Sequence, residues 1–136
     1  MKFLKFAIVA LLLSAAFFSC KKDNDDDFKA PTGNTAIEGK YVGKYGYGNE
    51  VPSISYILNV KPGGIFEELN TSGVSKCISG TWSLNGNVFT AKYQWKAPLN
   101  TKFSVAATFD ASTGKLVGTW GYDDSATNGG KWETKQ

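Results

Sequence analysis

The sequence predicts an all-β fold, a single up-and-down antiparallel β-barrel of about eight strands, and three observations carry that prediction. From Ile37 onward, apolar and aromatic residues alternate with polar ones in short runs of period two. Gly, Asn, Pro and Asp break those runs about every ten to twelve residues, and no stretch repeats with helical period. Each run has one apolar face. Eight such strands in simple succession bury that face by rolling the sheet closed, which also removes its unpaired edges. A two-sheet sandwich is the alternative that local pattern leaves open.

Strands are expected at 37–47, 53–60, 65–70, 74–84, 88–96, 101–109, 115–122 and 130–135. The first carries Tyr41, Tyr45 and Tyr47 on one face, and the second carries Ile54 and Tyr56. In the third, an inward Phe66 brings Glu68 inward and leaves Glu67 on the opposite face. The fourth sets Ile78, Gly80, Trp82 and Leu84 against Ser75, Cys77, Ser79, Thr81 and Ser83, and the same parity turns Lys76 inward. Phe89, Ala91, Tyr93 and Trp95 form the apolar face of the fifth strand, and Phe103, Val105, Ala107 and Phe109 that of the sixth. The seventh contributes Trp120 and Tyr122, and the eighth Trp132.

Connections differ between the two ends. Lys61-Pro62-Gly63-Gly64, Asn85-Gly86-Asn87 and 110–114 are tight, and Asn-Gly is the strongest hairpin signal in the chain. The links 48–52, 71–73, 97–100 and 123–129 lie at the other end. Gly-x-aromatic recurs at Gly39-Lys40-Tyr41, Gly80-Thr81-Trp82 and Gly118-Thr119-Trp120. The expectation is that Tyr41, Trp82 and Trp120 plug the tight end, each beside a glycine that leaves room. A barrel closed below with longer loops above is a cup.

Composition excludes several function classes. Arginine and histidine are both absent, which removes the usual guanine readers, His-based catalytic sets and most zinc sites. Residues 35–136 hold ten lysines against eight acidic residues, an excess of +2 spread over many segments, so nucleic acid is not an expected partner. Glu67 and Glu68 are adjacent and point to opposite faces, a poor start for paired acid and base chemistry. The chain is read as non-enzymatic, with no cofactor or metal signature.

The first residues are an address. Met1 to Lys5 carries two lysines, and Phe6 to Phe18 is an uncharged apolar run shorter than the about 20 residues that span a bilayer. That is a signal-peptide pattern, with residues 1–19 removed and Cys20 left as the mature N-terminus. Phe17-Phe18-Ser19-Cys20 resembles the lipobox of bacterial lipoproteins, which implies acylation of Cys20 and attachment to a membrane. Asp23, Asp25 and Asp27 alternate like the first ligands of an EF-hand loop. Phe28 stands where that loop needs glycine and Asn34 where it needs glutamate, so 20–36 reads as a lipidated N-terminus and acidic flexible tether. Lysine and acidic residues directly after the lipid cysteine resemble the export signal of surface lipoproteins. That implies an outer-membrane anchor, on the cell surface or on the periplasmic face.

The lipidated N-terminus, the acidic tether, Gly39-Lys40-Tyr41 and the two Gly-Thr-Trp repeats together resemble the lipocalin-like domain of bacterial surface lipoproteins, covering 37–136. The resemblance implies a lipocalin-like barrel that holds a small ligand. Tyr41 stands where lipocalins carry tryptophan, and their arginine has no counterpart here. By strand parity the candidate ligand residues are Tyr47, Tyr56, Lys76, Tyr93, Trp95, Phe103, Tyr122 and Trp132, an aromatic set suited to a small, mainly apolar or aromatic ligand. Lys76 has three readings: a pair with Glu68, a head that snorkels to the rim, or contact with an anionic ligand. The alternative function is an interaction or structural module with a filled barrel and a partner on loop 123–129. Asp124-Ser125-Ala126 in that loop resembles an O-glycosylation site of envelope proteins. Cys77 is the lone remaining thiol, with no sequence neighbour that would activate it.

Overall fold

A computed structural model describes residues 36–136. The expected signal peptide 1–19, Cys20 and all of the tether 20–36 except Ala36 lie outside the described residues. The chain forms eight strands, β1 (Gly39–Tyr47), β2 (Ile54–Lys61), β3 (Ile65–Leu69), β4 (Cys77–Asn85), β5 (Val88–Trp95), β6 (Lys102–Asp110), β7 (Lys115–Tyr122) and β8 (Gly130–Lys135). Each pairs antiparallel with its sequence neighbour, and β8 returns to β1 through Val42 opposite Lys135 up to Tyr47 opposite Gly130. The barrel is closed, so the sandwich alternative is excluded.

Loop lengths follow the expected polarity. At the base, 62–64, 86–87 and 111–114 join strands in two to four residues, and Gly63, Gly86 and Gly114 supply the positive φ of 75°, 62° and 66° that those turns need. At the mouth, 48–53, 70–76, 96–101 and 123–129 are six or seven residues long.

Three other glycines set the curvature. A Cβ on Gly43 would lie 1.9 Å from the Glu133 carbonyl oxygen, on Gly80 2.2 Å from that of Phe66, and on Gly118 1.9 Å from that of Ala106. A small barrel must bend its sheet sharply somewhere, and these positions let one strand fold over its neighbour's backbone. The sequence expectation had each glycine making room for the adjacent ring. Gly80 and Gly118 instead make room for the neighbouring strand.

The lower half is packed solid. Tyr41, Leu58, Phe66, Trp82, Phe89 and Leu116 are all buried to within 1%. Trp82 lies over Phe89, with centroids 6.1 Å apart and planes at 24°, and its indole Nε1 donates to the Lys61 carbonyl at 2.8 Å, tying the plug to the first base turn. Ile37, expected as the first strand residue, lies in a turn below β1, fully buried, and its carbonyl accepts from the Tyr41 hydroxyl at 2.8 Å. Burial pushes the Tyr41 phenol up to about 12. Gln136 finishes the base, donating from Nε2 to the Glu38 carbonyl at 2.7 Å.

Two expectations are corrected. Trp120 is not part of the plug: it is the sixth of eight residues in an ascending strand, and its indole donates to the Gly46 carbonyl at the opposite, open end at 3.0 Å. The base is stoppered by Tyr41 and Trp82, with Ile37, Phe89 and Leu116 in place of the third ring. In β4, Ile78 is 65% exposed and Cys77 is buried, the reverse of the expected faces. A bulge between Cys77 and Ser79 shifts the register by one residue, and a one-residue shift exchanges inside for outside.

Candidate ligand site

Above the plug, the inward side chains stop meeting in the middle and leave a cavity of about 170 Å³. Its lining comes from six strands and one mouth loop: Tyr45 and Tyr47 (β1), Tyr56 (β2), Glu68 (β3), Tyr93 and Trp95 (β5), Leu99 and Thr101 (96–101), Phe103 (β6), and Trp120 and Tyr122 (β7). Period-two alternation delivers each ring to the interior, and antiparallel pairing sets them at one height: Tyr93 faces Phe103 across β5 and β6, and Phe103 faces Tyr122 across β6 and β7.

The rings form a closed circuit. Tyr45 meets Tyr56 (5.6 Å between centroids) and Trp120 (5.6 Å), Trp120 meets Tyr122 (5.4 Å), Tyr122 meets Phe103 (5.6 Å), and Phe103 stacks on Tyr93 (5.1 Å, 23°). The Tyr56 and Tyr93 hydroxyls close the circuit with a shared hydrogen bond of 3.0 Å. Contacts of this kind are worth about 0.5–1.5 kcal/mol each beyond the area they bury. Burial holds the Tyr56 and Tyr93 phenols well above their ordinary range, with the Glu68 charge acting in the same direction. Tyr45 is pushed up to about 12 by burial, with Tyr47 adding to the shift. These three phenols stay neutral at physiological pH.

Glu68 is the single charged group of the lining. It is 4% exposed, and three neighbours hold it: Lys76 Nζ pairs with Oε1, the Trp95 indole donates to Oε2 at 2.8 Å, and its own backbone N–H donates to Cys77 Sγ at 3.2 Å. The Lys76 ammonium also lies 3.8 Å from the centroid of the Trp95 ring. Burial raises the Cys77 thiol to about 11, which keeps it protonated and unreactive, in keeping with the absence of activating neighbours in the sequence.

Of the eight sequence-predicted ligand residues, the fold brings Tyr47, Tyr56, Tyr93, Trp95, Phe103 and Tyr122 to this cavity. Lys76 and Trp132 are corrected. The β4 bulge reverses the parity above it, and Lys76 lies with Ser55, Ile57 and Glu68 in a groove along β2 and β3 rather than in the cavity lining, resolving its three readings in favour of the ion pair. Trp132 is buried behind the wall, its ring against Tyr56 at 5.6 Å and its indole donating to the Thr119 carbonyl at 2.8 Å. Ile54, also expected inward, is 40% exposed.

Tyr45, read from the sequence as inward but not as one of the eight, also lines the cavity, and sequence reasoning missed Trp120, Glu68, Leu99 and Thr101 as lining. Counting residues along β7 would have found Trp120, which is two places from Tyr122. Loop 123–129 folds back on the outer wall: the Asp123 N–H donates to the Lys102 carbonyl at 3.0 Å, and Asp124 pairs with Lys92 at 2.8 Å. Ser125 within it is half-buried. Comparison with protein-family models, with curated proteins and with solved structures gave no match.

Proposed function

We propose that this chain is a membrane-anchored, lipocalin-like binding module that takes a small, mainly apolar or aromatic group into the mouth of its barrel at the cell envelope. The observation that carries this reading is the cavity of about 170 Å³ walled by eight aromatic side chains above a filled base. An eight-stranded barrel is wide enough either to fill itself or to hold one small ligand, and here the lower half does the first while the upper half leaves the space. A dry cavity of about 150 Å³ holds benzene, so a single ring or a group of that bulk fits and a drug-sized molecule does not.

The anchor is the acylated Cys20 read from the sequence. The chain enters β1 at the base, opposite the mouth, and the sequence reads residues 20–36 before it as the tether to that anchor. A lipid at Cys20 therefore holds the barrel clear of the headgroups with its base toward the tether.

Trp95 and Trp120 line the cavity, so ligand entry is read directly as a change in tryptophan emission of the full chain against a panel of single-ring compounds. Trp95→Ala is expected to fold and to weaken that response, with Trp120 still reporting. A silent panel, with Trp95→Ala indistinguishable from wild type, would defeat the reading. Acylation is tested separately by intact mass and by release of a Cys20→Ala chain from the membrane fraction.

A further inference from the structure

We infer that the group this cavity accepts is a small organic cation, a methylated or quaternary ammonium, held in an aromatic box beside one carboxylate. The inference rests on the small-ligand reading above and goes further by assigning the ligand's charge.

The box is built by Tyr45, Tyr47 and Trp120. Their planes meet at 72° (Tyr45 with Tyr47), 86° (Tyr45 with Trp120) and 72° (Tyr47 with Trp120), with centroids 5.4–5.7 Å apart. Three mutually near-perpendicular rings at one cavity resemble the corner of a box. Ring faces carry the negative lobe of the aromatic quadrupole, and such a corner surrounds a cation with them from several directions. A neutral ring would be served as well by two parallel walls, and these are not parallel.

Charge points the same way. Among the described residues, the cavity lining contains one carboxylate, Glu68, and no lysine. A quaternary ammonium donates no hydrogen bond and needs none from this carboxylate, whose donors Lys76 and Trp95 are already in place. An anionic ligand would meet the repulsive ring faces and no cation of the lining, since Lys76 is already paired with Glu68 and is not a lining residue. The buried phenols stay protonated, so they offer hydroxyls and faces but no competing negative charge.

The same protein already solves this recognition problem once. Lys76 lies 3.8 Å over the Trp95 ring while pairing with Glu68, an ammonium held by a ring face and a carboxylate together. An ammonium in the cavity would find ring faces that Lys76 does not use, those of Tyr45, Tyr47 and Trp120, in the same lining as Glu68. Size agrees, because a tetramethylammonium group has about the bulk of benzene, which a cavity of about 150 Å³ accommodates.

The test compares choline and tetramethylammonium with 3,3-dimethylbutan-1-ol, the uncharged carbon isostere of choline, together with indole and indole-3-acetate. Each is titrated into the full chain by tryptophan emission and calorimetry. The ammonium compounds are expected to bind at least tenfold more tightly than the isostere, and indole-3-acetate not at all. Tyr47→Leu, at a half-exposed position that leaves the core intact, is expected to weaken choline at least threefold and the isostere hardly. Equal or tighter binding of the isostere or of indole overturns the cation assignment and leaves the small-ligand reading standing. Failure of every probe overturns both.

Discussion

Replacing Lys76 by methionine isolates the one ion pair that touches the cavity. The substitution keeps the bulk of the side chain and removes its charge, leaving Glu68, 4% exposed, with the Trp95 indole as its remaining side-chain donor. Breaking a fully buried pair by deleting one partner costs about 3–5 kcal/mol. The Lys76 side chain is 34% exposed, so water reaches the gap and the expected loss falls to about 2 kcal/mol at pH 7. For a domain of about a hundred residues that is a drop in Tm of roughly 10 °C. Urea unfolding at pH 7 followed by tryptophan emission measures the loss, and Lys76→Met combined with Glu68→Gln, which removes the charge left unpaired, is expected to regain most of it. A deficit absent at pH 7, or one that Glu68→Gln does not relieve, would refute the claim that Lys76 neutralises a buried charge.

Three further outcomes follow from particular contacts. Gly118→Ala is expected to cost about 3 kcal/mol, because its Cβ would lie 1.9 Å from the backbone oxygen of Ala106, which cannot yield without parting β6 from β7; thermal unfolding checks it. Thr134→Val is expected to raise stability by about 1 kcal/mol, since the Thr134 hydroxyl is buried without a hydrogen-bond partner and valine keeps the shape and strand preference; the same assay reads the sign. Asp110, held down to about 2 by hydrogen bonds from the Ser112 and Thr113 hydroxyls and the Ser112 N–H, should titrate near that value by carbon NMR. A depressed carboxylate lends stability above its unfolded value of about 3.9 and loses it as pH falls toward 2. Asp110→Asn should therefore flatten the acid limb of the stability profile.

Much of the barrel was legible because period-two alternation is the direct imprint of a half-buried sheet. The β7 and β8 boundaries 115–122 and 130–135 agree with the sequence expectation, and Asn85-Gly86 marks the turn it promised. What escaped was register and height. Ser75 to Ser79 alternates without a break in the sequence, yet the bulge there turns Cys77 in and Ile78 out. Nothing in five side chains announces an extra residue whose cause is the pairing of another strand.

The site divides along the same line. Six lining aromatics were found by face alone, since facing inward was enough to place them at the cavity. Lys76 was misplaced with the bulge, and Trp120 was assigned to the wrong end because it was read in the first half or middle of the ascending β7, where it is the sixth of eight residues. Leu99 and Thr101 belong to a loop, where no periodicity reports direction. Glu68 was weighed as a partner for Lys76, and its presence at the cavity depends on the open space above the plug, which sequence does not display.

The seam between β1 and β8 binds Val42 to Lys135, residues 93 positions apart. Hydrogen bonds that join such distant parts of a chain form late and slowly, since the entropy of closing so long a loop is spent before any reward arrives. Until the final strand docks, β1 offers an open row of backbone donors and acceptors to any passing strand. The vulnerable moment in this protein's life is therefore its assembly: premature loss of the last strand would leave a sticky, gaping sheet where a finished barrel has no edge at all.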